Sequence, residues 1–148
     1  PYVVEFNVRF GDPECQVTLP LIATDMYDLL HGAATDRLHE LPLEIHDSVA
    51  LTVVLASEGY PASPIKGRPI DGLSEVLDGE AYGRAWVNFA GVALGDEGQY
   101  IASGGRVLSC TAQSDDLTSA HDAAYELLQH LSLEGGHHRR DIGHRAME

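Results

Sequence analysis

Between Arg106 and Leu131 the sequence changes its hydrophobic period. Arg106 to Ala112 (RVLSCTA) is dense in strand-forming residues, and the following apolar residues Leu117, Ala120, Ala124, Leu128 and Leu131 recur at spacings of three and four. The first pattern predicts a β-strand and the second a helix with a single apolar stripe. Such a helix is stable only when its stripe is pressed against another layer, so the segment demands a mixed architecture with a sheet beside a helix. Ser114-Asp115-Asp116 supplies the polar start that opens the helix, and Gly135-Gly136 ends the region.

The residues before it supply the sheet. SVALTVVLAS (48–57) is a short apolar run rich in β-branched residues and reads as a buried strand. Arg84 to Leu94 and Gln99 to Ala102 read as further strands. They are joined by the hairpin-like turn ALGDEGQY, and the tight SGG turn at 103–105 leads into the 106–112 strand. EGYPASPIKGRP (58–69) is turn chemistry throughout. Residues 46–148 are thus expected to form an α+β domain, mostly antiparallel sheet with one long amphipathic helix, of roughly 100 residues.

Residues 1–45 have a different character. Residues 2–10 alternate with period two and predict a strand ended by Gly11. Asp12-Pro13 has the form of a helix start, and Pro20 prevents one long helix. Thr24 or Asp25 is placed to cap a second helix whose apolar face holds Met26, Leu29, Leu30 and Ala33. Residues 34–45 read as a connector, with a domain boundary near 43–47. A strand and two helices of this size cannot bury a core alone.

The formal net charge is −14, from 9 Lys and Arg against 23 Asp and Glu. A surface of that sign argues against broad binding to nucleic acid or to an anionic membrane. Arg139, Arg140 and Arg145 nevertheless gather near the C-terminus. Cys15 and Cys110 have neither disulfide-framework nor metal-ligand spacing and read as reduced residues in or near a core. With no apolar run long enough to span a bilayer and no signal-peptide pattern, a cytoplasmic location is the expectation.

In a strand over 2–10, Glu5, Asn7 and Arg9 share one face, opposite Val4, Phe6, Val8 and Phe10. Carboxylate and amide oxygens are the hard ligands that Mg²⁺ takes, and an adjacent guanidinium suits an anionic oxygen. The same pattern also describes a plain solvated strand face. The tail RRDIGHR (139–145) has two readings as well: an anion site built from Arg139, Arg140 and Arg145, or a segment docked by an Arg–Asp pair. His137-His138 reads as a solvated pair, since adjacent residues rarely converge on one ion. The SGGR turn at 103–106 reads either as a phosphate cradle or as a hairpin that needs its glycines. Lys66 and Arg68 read as substrate contacts or as solvent-facing cations.

EFNVRFGDPECQ resembles the metal-binding strand and following turn of an ATP-grasp ligase. VVLASEGYPASPIKGRPIDGL, SGGRVLSCTAQSDDLTSAHDAAYELL and EGGHHRRDIGHRAM follow in order. Together the four motifs, covering almost the whole chain, resemble the C-terminal part of the phosphoribosylamine–glycine ligase family. The resemblance implies the terminal strand and helices of an ATP-grasp domain in residues 1–45 and the ligase's C-terminal domain in 46–148. It implies ATP-dependent joining of glycine to 5-phosphoribosylamine through glycyl phosphate, in purine biosynthesis. It makes Glu5 and Asn7 ligands of Mg²⁺ or Mn²⁺, and it places Arg9 near the anionic intermediate. The lysines and Gly-rich segments that would hold ATP do not occur in these residues, so the chain reads as the tail of a longer enzyme, inactive without the upstream part.

Two departures stand out: Cys15 where the family commonly has Thr, and Asn88-Phe89-Ala90-Gly91-Val92 where it often has a His-Ala-Gly-Thr turn. The first is a small change; the second, which loses that His and Thr, weakens any role given to that turn. A reading of another class is a stand-alone, non-catalytic binding or oligomerisation module that keeps the fold without the chemistry.

Overall fold

The computed structural model describes residues 1–4, 6, 8–79 and 84–148. Its first difference from expectation is at the start: the described part of 1–10 forms no strand. Tyr2, Val4, Phe6 and Val8 are 99%, 96%, 85% and 96% exposed. A strand is held by a ladder to its neighbour and by the face it buries, and no described segment here supplies either. The alternation is present in the sequence without a sheet to join.

Helix α1 (Cys15–Thr18) begins later than Asp12-Pro13 suggested; the Cys15 N–H donates to the Gly11 carbonyl at 2.8 Å, and Pro13 lies outside it beyond a cis Asp12–Pro13 peptide. Pro20 sits in a 3₁₀ turn, Leu19–Leu21, that ends this helical stretch. Helix α2 (Met26–Ala34) is capped as read: Asp25 Oδ1 accepts from the Tyr27 N–H at 2.7 Å. The connector folds back on the first segment. Thr24 Oγ1 donates to the Pro42 carbonyl at 3.0 Å and accepts from the Glu44 N–H at 2.7 Å, and Ile22 bridges Ile45.

From residue 49 the elements run β1 (Val49–Ala56), β2 (Ile70–Asp71), α3 (Leu73–Asp78), β3 (Ala85–Phe89), β4 (Val92–Leu94), β5 (Tyr100–Ala102), β6 (Arg106–Ser114), α4 (Leu117–Gln129), β7 (Ser132–Leu133) and α5 (His144–Met147). β6 is the centre of an antiparallel three-stranded sheet in the order β1-β6-β3. β2 pairs with β7, and β4 with β5. The segment read as one strand over 84–94 is two. At Ala90 and Gly91 the chain leaves the central sheet, and Gly91 passes so close to Gly104 that a Cβ on it would lie 2.6 Å from the Gly104 Cα. This crossing explains the SGG turn: its glycines serve close packing of backbone, and Gly105 lies under the Tyr60 ring.

Helix α4 starts at Asp116, whose Oδ1 accepts from the Ser119 N–H at 2.8 Å. Its face of Ala120, Ala124, Leu127 and Leu128 is buried against β1 and β6. Leu127 belongs to that face though the stripe over 117–131 passed it by. Leu131 packs on the same core from beyond the helix end. The small alanines let the helix approach the sheet, and the leucines fill the gap over Leu51, Val53, Leu55, Leu108 and Cys110. Each fully buried leucine contributes about 1.5–3 kcal/mol of apolar transfer. α3 came without a sequence expectation; Leu73 and Val76 bury its inner face.

Candidate functional site

The two faces of the central sheet differ in chemistry. Leu51, Val53, Leu55, Leu108, Cys110 and Ala112 point to the α4 side and form the core. The alternate face mixes Ala50, Val54 and Trp86 with hydroxyls and two amides. Thr111 Oγ1 lies 2.8 Å from Thr52 Oγ1 and donates to Asn88 Oδ1 at 2.7 Å, so one polar chain crosses all three strands. Gln113 continues this face, donating from Nε2 to Ser48 Oγ at 2.7 Å. Ser109, 3% exposed and paired in register with Asn88, has an Oγ with no hydrogen-bond partner among the described residues. The sequence carried a signal for this row in Ser109, Thr111 and Gln113, spaced two apart in β6 and masked by the apolar residues between them.

Cys110 lies on the apolar side; burial pushes its thiol up to about 12, so it is not a nucleophile. Cys15 is free and half-buried, its Sγ donating to Gln16 Oε1 at 3.0 Å.

Those of the residues singled out from the sequence that the structure describes are not gathered in one place. Glu5 and Asn7 fall outside the described residues. Arg9 is exposed, and its Nη1 donates to the Phe10 carbonyl at 3.1 Å. Among the described residues no group of three or more His, Cys, Asp and Glu could hold a metal ion. A metal assignment therefore rests on the Glu5 and Asn7 donor set, one carboxylate and one amide, which is the hard-oxygen chemistry of Mg²⁺ or Mn²⁺.

The C-terminal arginines divide. Arg139 makes a two-pronged pair with Asp141, Nε to Oδ1 at 2.8 Å and Nη2 to Oδ2 at 2.5 Å. This pair raises the Arg139 guanidinium pKa and holds the Asp141 carboxyl below the usual carboxylate range. Tyr125 of α4 fastens the same segment, its hydroxyl donating to the Arg139 carbonyl at 2.7 Å and accepting from the Ile142 N–H at 3.2 Å. Arg145 joins Arg139 and His144 around a hollow of about 430 Å³. Arg140 opens on a different cleft, beside His138 and α4. Among the described residues neither Arg140 nor Arg145 makes an ion pair, in a chain where acids outnumber bases. Arg68 is neither a solvent-facing cation nor open to a ligand: it is clamped by the Glu58 carboxylate at 2.5 Å and the Glu134 carbonyl at 2.6 Å.

Residues 50–145 match the family model of the phosphoribosylglycinamide synthetase C domain. The phosphoribosylamine–glycine ligase of Mycobacterium tuberculosis is 47% identical over the whole of this chain, which spans 33% of that relative. The ligase of Streptomyces coelicolor is 48% identical over 97% of the chain and 34% of its own length. The trifunctional purine biosynthetic protein adenosine-3 of Gallus gallus is 43% identical over 99% of the chain and 14% of its own length. In structure, the phosphoribosylamine–glycine ligase of Thermotoga maritima superposes with a TM-score of 0.71 at 35% identity, covering 95% of this chain and 33% of the other. The chain spans about a third of the length of the ligases it matches, aligns with their C-terminal part, and belongs to the phosphoribosylglycinamide synthetase family.

Proposed function

We propose that this chain is the C-terminal part of an ATP-dependent carbon–nitrogen ligase that joins glycine to 5-phosphoribosylamine, giving glycinamide ribonucleotide, ADP and phosphate. The observation that carries the reading is the match along the entire chain at 47% identity to a phosphoribosylamine–glycine ligase. The reaction activates the glycine carboxylate as glycyl phosphate; the sugar amine then attacks the acyl carbon and phosphate leaves.

In this reading residues 1–45 belong to the ATP-grasp domain and 46–148 to the C-terminal domain. Glu5 and Asn7 would hold a divalent cation, Mg²⁺ or Mn²⁺, which would supply charge neutralisation for phosphoryl transfer. Arg9 supports the anionic acyl phosphate. Of the tail cations, Arg139 is committed to Asp141 and orients the segment, which leaves Arg145 on the shared hollow to face an anionic substrate group. The chain alone is inactive, because positioning ATP needs groups on several sides of it, and this chain spans a third of the ligases it matches. The substrates are small molecules, and the enzyme works in the cytoplasm; no helix among the described residues is long and apolar enough to cross a membrane.

The test is a steady-state assay with glycine, ATP and phosphoribosylamine across a Mg²⁺ titration, on the intact polypeptide carrying Glu5→Gln or Asn7→Asp. Turnover should fall most at limiting metal. Turnover unchanged in both variants at limiting metal overturns the metal assignment, and no glycine-dependent ADP formation by the unsubstituted protein overturns the ligase reading.

A further inference from the structure

The cleft between α4 and the C-terminal segment is lined by His121, Tyr125, Leu128, Leu131, His138 and Arg140 and encloses about 470 Å³. Its parts are of two kinds. Leu128, Leu131 and the ring of Tyr125 give an apolar floor. Tyr125 is flanked by the His121 ring at a centroid distance of 4.5 Å and by the His138 ring at 6.1 Å. Both polar functions of the Tyr125 hydroxyl are used by the backbone of residues 139 and 142, so the floor is rigid. The cationic wall is different. The Arg140 guanidinium has no carboxylate or carbonyl partner among the described residues. The neighbouring acid Asp122 turns to His121 Nδ1 at 2.9 Å.

We propose that this cleft is a binding site for a small organic phosphate: the phosphate is held by Arg140, and its ring or apolar body lies over Tyr125 and Leu131. A guanidinium offers a planar fork to an oxyanion, and its attraction is greatest where no protein carboxylate competes for it. The cleft's size is that of a pocket for a small ligand, with an apolar lining and few polar groups fixing orientation. His138 reports on the site. Its pKa is held down by partial burial and by the positive charges of Arg140 and His137, so a bound anion raises it. None of the residues lining this cleft is among those assigned to the metal, and the site does not depend on the ligase reading.

The experiment is a titration of the intact polypeptide with inorganic phosphate, phenyl phosphate and benzoate. It is followed by isothermal calorimetry and by the ring-proton NMR signal of His138, assigned with His138→Gln. Phenyl phosphate should bind about tenfold tighter than inorganic phosphate, from the apolar area it buries, and tighter than benzoate. It should also raise the His138 pKa. Arg140→Ala should weaken phosphate and phenyl phosphate alike by about tenfold or more. Leu131→Ala should reduce only the advantage of the ring. Far-ultraviolet circular dichroism checks that both variants are folded, and Arg140→Lys, which keeps the charge and loses the fork, should fall between. Phenyl phosphate affinity unchanged in folded Arg140→Ala, or no response of His138 to any of the three anions, overturns the site. Benzoate equal to phenyl phosphate overturns the preference for phosphate. Ligase turnover enters none of these readouts, so failure here and failure of the ligase reading are separate results.

Discussion

Arg106 on β6 reaches across 94 residues of sequence to Asp12: its Nη1 donates to the Asp12 carbonyl at 2.6 Å, and its Nη2 lies 3.1 Å from the carboxylate Oδ2. Asp12 is therefore not the helix cap that its position before Pro13 suggested. It is the anchor by which the first segment leans on the central sheet. Both side chains are partly exposed, at 37% and 46%, so the ion pair itself contributes about 1 kcal/mol or less.

Arg106→Ala should accordingly leave the melting temperature of the β1-β6-α4 core nearly unchanged while loosening the first segment. Hydrogen exchange should accelerate at the α1 amides, Cys15 to Thr18, and not in β1 or α4. Equal acceleration in all three would mean that Arg106 supports the core and is no tether.

How legible these features were depends on where their partners lie. β1 and the α4 stripe carry their own signals, because β-branched runs and a 3.6-residue period are local facts. The break at Ala90-Gly91 was hidden, since it is caused by the approach of Gly104, thirteen residues on. The strand over 2–10 was legible as a pattern, yet no strand forms among its described residues, because a strand's existence is settled by the sheet it joins. In the tail, composition left an anion site and an Arg–Asp dock equally open and could not divide the arginines. Only geometry assigns Arg139 to Asp141 and leaves Arg140 and Arg145 without ion pairs among the described residues. Tyr125 gave no sequence signal, as its use lies in backbone groups fourteen and seventeen residues away.

Asp116 links stability to pH. Its pKa is lowered, first by the Ser119 hydroxyl and then by the Ser119 N–H. A carboxylate whose folded pKa is depressed stabilises the fold fully above its unfolded value and loses that contribution as pH falls through the folded value. Asp116→Asn keeps a capping acceptor and removes the titration; Asp116→Ala removes both. Denaturant midpoints from neutral pH down through the carboxylate range should show Ala below wild type at neutral pH and converging with it in acid. Asn should remove part of the acid sensitivity. A constant gap between Ala and wild type at every pH would deny the ionised cap.

The Arg139–Asp141 fork and the Tyr125 hydroxyl secure the same segment, so they should not act independently. Tyr125→Phe removes the two hydrogen bonds to residues 139 and 142 and should speed exchange at the Ile142 amide. Arg139→Ala or Asp141→Ala should do the same with little change in global stability, because that pair is on the surface. In a double-mutant cycle, Tyr125→Phe with Asp141→Ala should cost less than the two single effects added. Strict additivity would separate the two restraints.

The first segment carries an apolar groove. Phe10, Ile22, Met26, Leu29, Leu30 and Leu41 line a hollow of about 340 Å³. Leu30 is 61% exposed and Phe10 54%. Contiguous apolar surface of this kind marks an interaction face, and the ligases that this chain matches are about three times its length. In the isolated 148-residue chain, residues 1–45 should exchange faster than β1, β6 and α4, whose side chains build the core. The chain should also self-associate at high concentration. Leu30→Glu with Phe10→Ser should weaken that association without lowering the core's melting temperature, because neither residue belongs to it. In the intact polypeptide the same groove should become protected and the association should disappear. Sedimentation and hydrogen exchange on both forms decide it. A monomeric isolated chain protected uniformly from residue 2 to residue 145 would show that the first segment completes its own packing, leaving the groove no partner to wait for.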